Sequence, residues 1–289
     1  NPLTPRVAVN HVWRHLFGTG IVKTANDFGV RGDPPTHPEL LDWLASEFIG
    51  AGDTGNHAWS RKELIKQIVT SATYRQSSRH SDSLLAIDPQ NQLLGRQNRL
   101  RVEAEIVGDI SLQVSGLLVH KIGGPSVFPT LPPGVAELSY AGNFKWDESK
   151  GGDQYRRGMY TFFKRTSPHP NLITFDCPDA NLTCVERNKS NTPLQALIGL
   201  NNASFAEASR AFAKRVLALP DIEDEASRLE VAFQMCLARK PTDNELRELT
   251  GLWLATRDWY ADHPQEAEKL IGAFTVADAT LEDSAAWIA

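Results

Sequence analysis

Four stretches of the chain open with a hydroxyl residue followed three places later by an acid or amide, and each then runs into apolar residues spaced near 3.6. The pairs are Thr36 with Glu39, Ser60 with Glu63, Thr192 with Gln195, and Thr242 with Glu245. In such a box the hydroxyl accepts from the third helical N–H, and the acid or amide reaches back to accept from the cap N–H, so each residue's side chain satisfies the other's orphan donor. Behind the boxes stand Leu40, Leu41, Leu44 and Phe48; Leu64, Ile65, Ile68 and Val69; Leu194, Leu197, Ile198 and Phe205; and Leu246, Leu249, Leu252 and Trp253. Pro38 falls in the opening turn of the first, and Pro193 opens the third, where its missing N–H costs nothing. The pattern predicts amphipathic helices at all four places. The same reasoning predicts helices over 6–17, 89–95 behind the cap Asp88, 102–117, 225–238 and 265–273.

Strand signals are sparse. Only 159–163 and 172–175 lean toward β structure, which allows at most a short ribbon. The fold expected is therefore mainly α: one helical domain over residues 1–289, with a helical block at 1–120, a long irregular insert at 121–191 and a second helical block at 192–289. Within the insert, KIGGPSVFPTLPPG places Gly123, Gly124 and Pro125 at a turn, and NFKWDESKGGDQYRRGMY carries an ESKGGD stretch that reads as a mobile tip. Two readings of the insert stand side by side: a functional surface of irregular backbone on a helical scaffold, or a connection between helical subdomains.

Composition narrows the function classes. Charged residues make up 22% of the chain and the net charge is −5, so no general basic field draws it to phosphate backbones and nucleic acid is not the expected partner. No run approaches the roughly 20 apolar residues of a membrane helix, so no membrane insertion by this chain is expected. The opening NPLTPRVAVN lacks an initiator Met and a leader pattern and reads as the start of a piece of a longer protein. The three cysteines, Cys177, Cys184 and Cys236, form no CxxC, which removes zinc-ribbon, thioredoxin and covalent haem motifs. Cys177 and Cys184 have only each other as a local pairing partner, and Cys236 reads as a buried thiol acting as a small hydrophobe.

Candidate chemistry concentrates in KRTSPHPNLITFDCPDANLTCVERNKSNTPLQAL, residues 164–197. Lys164, Arg165, His169, Asp176 and Arg187 mix charges in a segment with little regular structure, and the Thr192 box presents a helix N-terminus that favours an anion. The alternatives are a pocket for an acidic group or polar polymer, or a loop pinned by its own ion pairs. The expected outcome is an ordered loop, with Leu172, Ile173, Phe175 and Leu182 buried and Arg165, Asp176, Arg187 and Asn191 satisfying its backbone. Elsewhere, His11 and His15 share a helix face at metal-ligand spacing, but the HExxH pattern is incomplete and no metal or other cofactor is expected in this chain. His37 with Glu39 is a catalytic candidate whose acid the capping box already explains. Walker loops, G-x-S-x-G elbows and G-x-G-x-x-G fingerprints do not occur.

Several long motifs carry a family likeness: NPLTPRVAVNHVWRHLFGTGIV, DFGVRGDPPTHPELLDWLASEF, IVTSATYRQSS, GGPSVFP, YRRGMYTFFKRTSPHP and SNTPLQALIGLNN. Together they resemble the planctomycete domain of unknown function that forms the C-terminal part of large proteins with cytochrome-c-like domains. The resemblance runs from residue 1 to about 240. It implies an extracytoplasmic protein, periplasmic or at the cell surface, whose partners are other domains of the same parent, a haem-bearing one among them. Two departures stand out: His11 replaces the arginine of an NR-x-W motif, and Cys177 replaces a small residue. Neither a family-wide metal role for His11 nor an obligatory Cys177–Cys184 bridge is implied. The expected function is an accessory or interaction module; the alternative is an enzyme acting on a polysaccharide or other polymer, with its site between the central loop and the first helices.

Overall fold

In the computed structural model of the chain, the residues described are 1–51, 58–132, 134–135, 145–222, 224–276 and 279–289. Asn143 and Phe144 of the NFKW stretch, Pro133 of the proline-rich turn, and Ala277 and Asp278 near the end lie outside them. The fold is mainly helical, with 12 helices and 1% strand among the described residues. Contacts gather the chain into two compact units, Asn1–Arg101 with Thr183–Arg187, and Val102–Leu182 with Asn188–Ala289.

The first unit is built on α1 (Leu3–Phe17), α2 (Pro38–Phe48), α3 (Arg61–Val69) and the short α4 (Asp82–Ile87). Val9, Trp13 and Phe17 recur every four residues and so form one face of α1. That face meets Leu41, Leu44, Ala45 and Phe48 of α2 and Leu64 and Ile68 of α3 in a single core. Trp13 stacks on Phe17, and Tyr74 meets Phe17 edge-on. Each large side chain so buried contributes roughly 1.5–3 kcal/mol. After α1 the chain turns at Gly18, whose φ of 84° suits glycine, and doubles back under Asn10. The Asn10 amide brackets Val22 as a neighbouring strand would: Val22 N–H donates to Oδ1 at 2.8 Å and Nδ2 donates to Val22 O at 3.0 Å, all buried. Gly20 makes room, because a Cβ there would sit 2.7 Å from Asn10 Oδ1 and 2.5 Å from Val22 O.

The second unit holds α5 (Ala104–Ser115), α6 (Pro170–Thr174), α7 (Pro193–Asn201), α8 (Ala203–Leu217), α9 (Glu225–Leu237), α10 (Asp243–Asp262), α11 (Pro264–Ile271) and α12 (Leu281–Ile288). α8 is central, packing on α5 and on α12. Its buried positions are Ala208, Ala211, Ala213 and Val216, small enough to let neighbouring backbones approach. Ala213, Ala267, Ile271, Ala285 and Ile288 close the core of α8, α11 and α12. Arg215 of α8 donates to Gln113 O and Val114 O and satisfies the end of α5. Although the sequence pattern groups α5 with the first helical block, it belongs to this second unit.

Boundaries separate local signals from tertiary ones. Thr192 and Thr242 form complete capping boxes, and Ser60 accepts from Glu63 N–H. The Thr36–Glu39 box is not made: His37 is the cap residue of α2, and the Thr36 hydroxyl donates to Ile21 O instead. No helix spans 89–95. Asp88 instead accepts from the N–H groups of Gln92 and Leu93 in a turn held by buried Arg96, which donates to Asp88 O and Pro89 O. The helix expected through 194–205 breaks at Asn202, whose side chain caps α8 by accepting from Ser204 N–H. Residues 172–175 are not β structure: His169 caps and Pro170 opens the short helix α6. The ribbon reduces to isolated parallel bridges, Val119 with Arg156 and Val127 with Thr161. Within the ESKGGD stretch a 3-10 helix begins, Gly151–Tyr155.

Candidate functional site

Two side chains organise the loop that follows α6. Asp176, at φ 67°, accepts from Ser190 N–H and Ser190 Oγ at 2.8 Å each and from Gln195 Nε2 at 3.4 Å. Gln195 is buried in α7 and also donates to Thr174 O at 2.8 Å while its Oε1 accepts from Thr192 N–H. One glutamine thus ties the end of α6, the loop and the start of α7.

The other predicted loop residues take separate places. His169 is buried; its Nδ1 accepts from Asn171 N–H and its Nε2 lies 3.2 Å from Thr130 O, which specifies the neutral tautomer with the proton on Nε2. Burial lowers its pKa, against smaller raising influences from Thr130 and Glu148. The Lys164 carbonyl accepts from Ser167 N–H, Arg165 and Asn191 are exposed, and Arg187 falls in the first unit. Of the apolar residues, Leu172 is buried and Phe175 meets Phe205 edge-on, but Ile173 is exposed and Leu182 is 84% exposed. The loop is held by hydrogen bonds more than by the expected row of buried apolar side chains.

The second unit contains a cavity of about 100 Å³. Its walls come from α5, residues 129–130, the 154–161 segment, α6 and the start of α8. Gly158 lets the 154–161 segment lie directly on α5, because a Cβ there would meet Glu105 O at 2.5 Å. The buried Asp109 fastens this junction, accepting from Gly158 N–H at 2.5 Å and from Arg157 Nε at 3.0 Å. Arg156 is buried next to it and donates to the carbonyls of Lys121, Gly123 and Pro125, with its guanidinium over the Tyr160 ring. Those carbonyls belong to the glycine turn, where Gly123 and Gly124 take φ values of 77° and 92°. A cluster of Phe128, Trp146, Phe162 and His169 backs the same wall.

Across the cavity, Tyr155 Oη donates to Glu207 Oε1 at 2.7 Å. That bond, helped by burial and by the carboxylate charge, pushes the Tyr155 pKa up to about 12. The phenol therefore keeps its proton through the physiological range, and its oxygen is an acceptor for anything placed beside it. Glu207 Oε2 has no hydrogen-bond partner among the described residues. Neither Tyr155 nor Glu207 carried a local sequence signal; they stand 52 residues apart.

Other candidates do not join this cavity. His11 is half-buried on α1, its pKa lowered by burial and by Arg14 and His15, while His15 is exposed. No group of three or more His, Cys, Asp or Glu side chains able to hold a metal occurs among the described residues. None of the three cysteines is in a disulfide, and Cys236 is exposed rather than buried: it shares a face of α9 with the packed Leu229 and Ala232 but lies at the helix end. His37 donates or accepts at Thr36 Oγ1, and Glu39 is exposed. Among the described residues no helix is long and apolar enough to cross a membrane. The surface feature that stands apart is α7, PLQALIGLN, on which Leu194, Leu197 and Leu200 are 56, 57 and 78% exposed and only Gln195 is buried.

Comparison with known families places residues 1–253 in the family described as PSD1, protein of unknown function (DUF1553), and the chain belongs to that family. No curated protein and no solved structure matches the chain.

Proposed function

We propose that this member of the DUF1553 family is an accessory, interaction-bearing module of a larger extracytoplasmic planctomycete protein. Its partner in this reading is another domain of the same parent, the haem-bearing cytochrome-c-like domain that the sequence resemblance implies. The observation that carries it is the exposed face of α7. Leu194, Leu197 and Leu200 stand three apart along an uncharged helix. Leaving each leucine in water forfeits roughly 1.5–3 kcal/mol that burial would recover. An uncharged leucine row suits an apolar protein surface and offers nothing to a charged polymer.

The competing reading, an enzyme on a polysaccharide or other polymer, asks for an acid and base free to act. The titratable groups around the cavity favour binding instead: both nitrogens of His169 and both oxygens of Asp109 are engaged within the protein, and Glu207, whose Oε2 is open to a ligand, is paired with a Tyr155 that holds its proton. Hydroxyl-radical footprinting of α7 in the chain alone and in the intact parent tests the reading. Leu197 and Leu200 are expected to be strongly protected in the parent, with protection lost in Leu197→Asp. Equal labelling in both forms overturns it.

A further inference from the structure

We propose that the cavity of the second unit binds a small organic ammonium that also carries a hydroxyl group, of simple amino-alcohol size. At roughly 30 Å³ per water, its volume of about 100 Å³ has room for about three waters, which matches a ligand of about four heavy atoms. The chemistry of the walls then selects the ligand.

Three acids, Glu105, Asp109 and Glu207, line the cavity. Asp109 is matched by Arg157, and the N–H groups of Arg156 that make hydrogen bonds turn toward the carbonyls of residues 121–125. Glu207 is different: its partner is the neutral phenol of Tyr155, and no cation pairs with it among the described residues. A half-buried carboxylate without a counter-charge favours a ligand that brings one, and it repels an anion. Phe175 and Phe205, set edge to face with centroids 6.1 Å apart, add aromatic surface that attracts an ammonium but gives little to an anion. Ser204, Thr161 and Gln154 also line the cavity, and their side chains make no hydrogen bonds among the described residues. They are the groups that would pair with the hydroxyl on the same ligand. A neutral polyol would use these groups and leave the Glu207 charge unmatched. This inference is independent of the role of α7.

Ethanolamine and ethylene glycol separate the possibilities, since the two-carbon skeleton is shared and an ammonium replaces one hydroxyl. Amide shifts of Tyr155, Ser204 and Glu207 are followed by NMR as each compound is titrated into the full chain at low salt. Ethanolamine is expected to move these amides saturably and to bind at least about tenfold more tightly than ethylene glycol, the scale of one charge-assisted contact. Glu207→Gln, which keeps shape and removes charge, should erase that preference, whereas Tyr155→Phe should keep it. Equal binding of the two compounds, no shift at these amides, or an undiminished preference in Glu207→Gln overturns the proposal. The comparison of the two compounds is made on the unmodified chain and so decides the matter even where Glu207→Gln does not fold.

Discussion

Replacing Asn10 by leucine removes the bracket around Val22 while keeping a side chain of four heavy atoms branched at Cγ. Both the Val22 N–H and its carbonyl lose their partner in a place where Asn10 is 1% and Val22 3% exposed. An orphaned buried group costs about 1–3 kcal/mol, so the two together should cost about 2–4 kcal/mol after the gain from added apolar contact. Asn10→Asp gives a sharper reading. Its carboxylate still accepts from Val22 N–H, but it presents a second oxygen to the Val22 carbonyl where the amide had presented a donor. Protonation restores the donor, so the aspartate pKa must be raised in the folded state. The sign follows: the stabilising contribution of that proton is fully present below the unfolded value of about 3.9 and is lost as pH rises through the folded value. Asn10→Asp should therefore lie closer to wild type at pH 4 than at pH 7.5, and Asn10→Leu should show no such recovery. Gly20→Ala, which drives a methyl into the same amide, should imitate Asn10→Leu. Urea midpoints at both pH values, with hydrogen exchange at the Val22 amide, measure this. A loss under about 0.5 kcal/mol for Asn10→Leu, or equal losses for Asn10→Asp at both pH values, refutes the bracket as a structural requirement.

Asp176→Ala should cost about 1.5–3 kcal/mol and expose the Ser190 amide to exchange, while Asp176→Gly should be milder because the site has φ 67°; an alanine variant more stable than the glycine variant contradicts this. Glu245, bonded by Arg239 and by the Thr242 N–H, has its pKa lowered to about 2, so its contribution to the start of α10 is present above the ordinary value of 4.5 and fades as pH falls toward 2. A carboxyl NMR titration should find that midpoint near 2 and see it rise in Arg239→Ala; an unchanged midpoint would show that the arginine bond is not the cause.

The local sequence carried the helical class and most helix starts, because a capping box needs only residues three apart and an amphipathic face only a period. Thr192 and Thr242 were legible for that reason, as were Arg6 to Phe17 and Glu225 to Leu237. The same rule misread Thr36 and Asp88, whose side-chain atoms are equally able to serve a turn or a distant carbonyl; Ile21 O and the N–H groups of Gln92 and Leu93 won them. At Leu172 the β-leaning run was overruled by Pro170 and the His169 cap. Asn202 was a missed signal that the sequence did hold, an asparagine placed directly before an alanine-rich amphipathic run. The cavity was not legible at all. Asp109 with Gly158, Arg156 with the 121–125 carbonyls, and Tyr155 with Glu207 are polar choices made between segments 31 to 52 residues apart. Periodicity determines which face of an element is buried, but a carboxylate or guanidinium can satisfy many partners. Only the packing of α5, α8 and the central segment brings one partner within hydrogen-bond reach and so decides which side chains are spent on structure and which remain to meet a ligand.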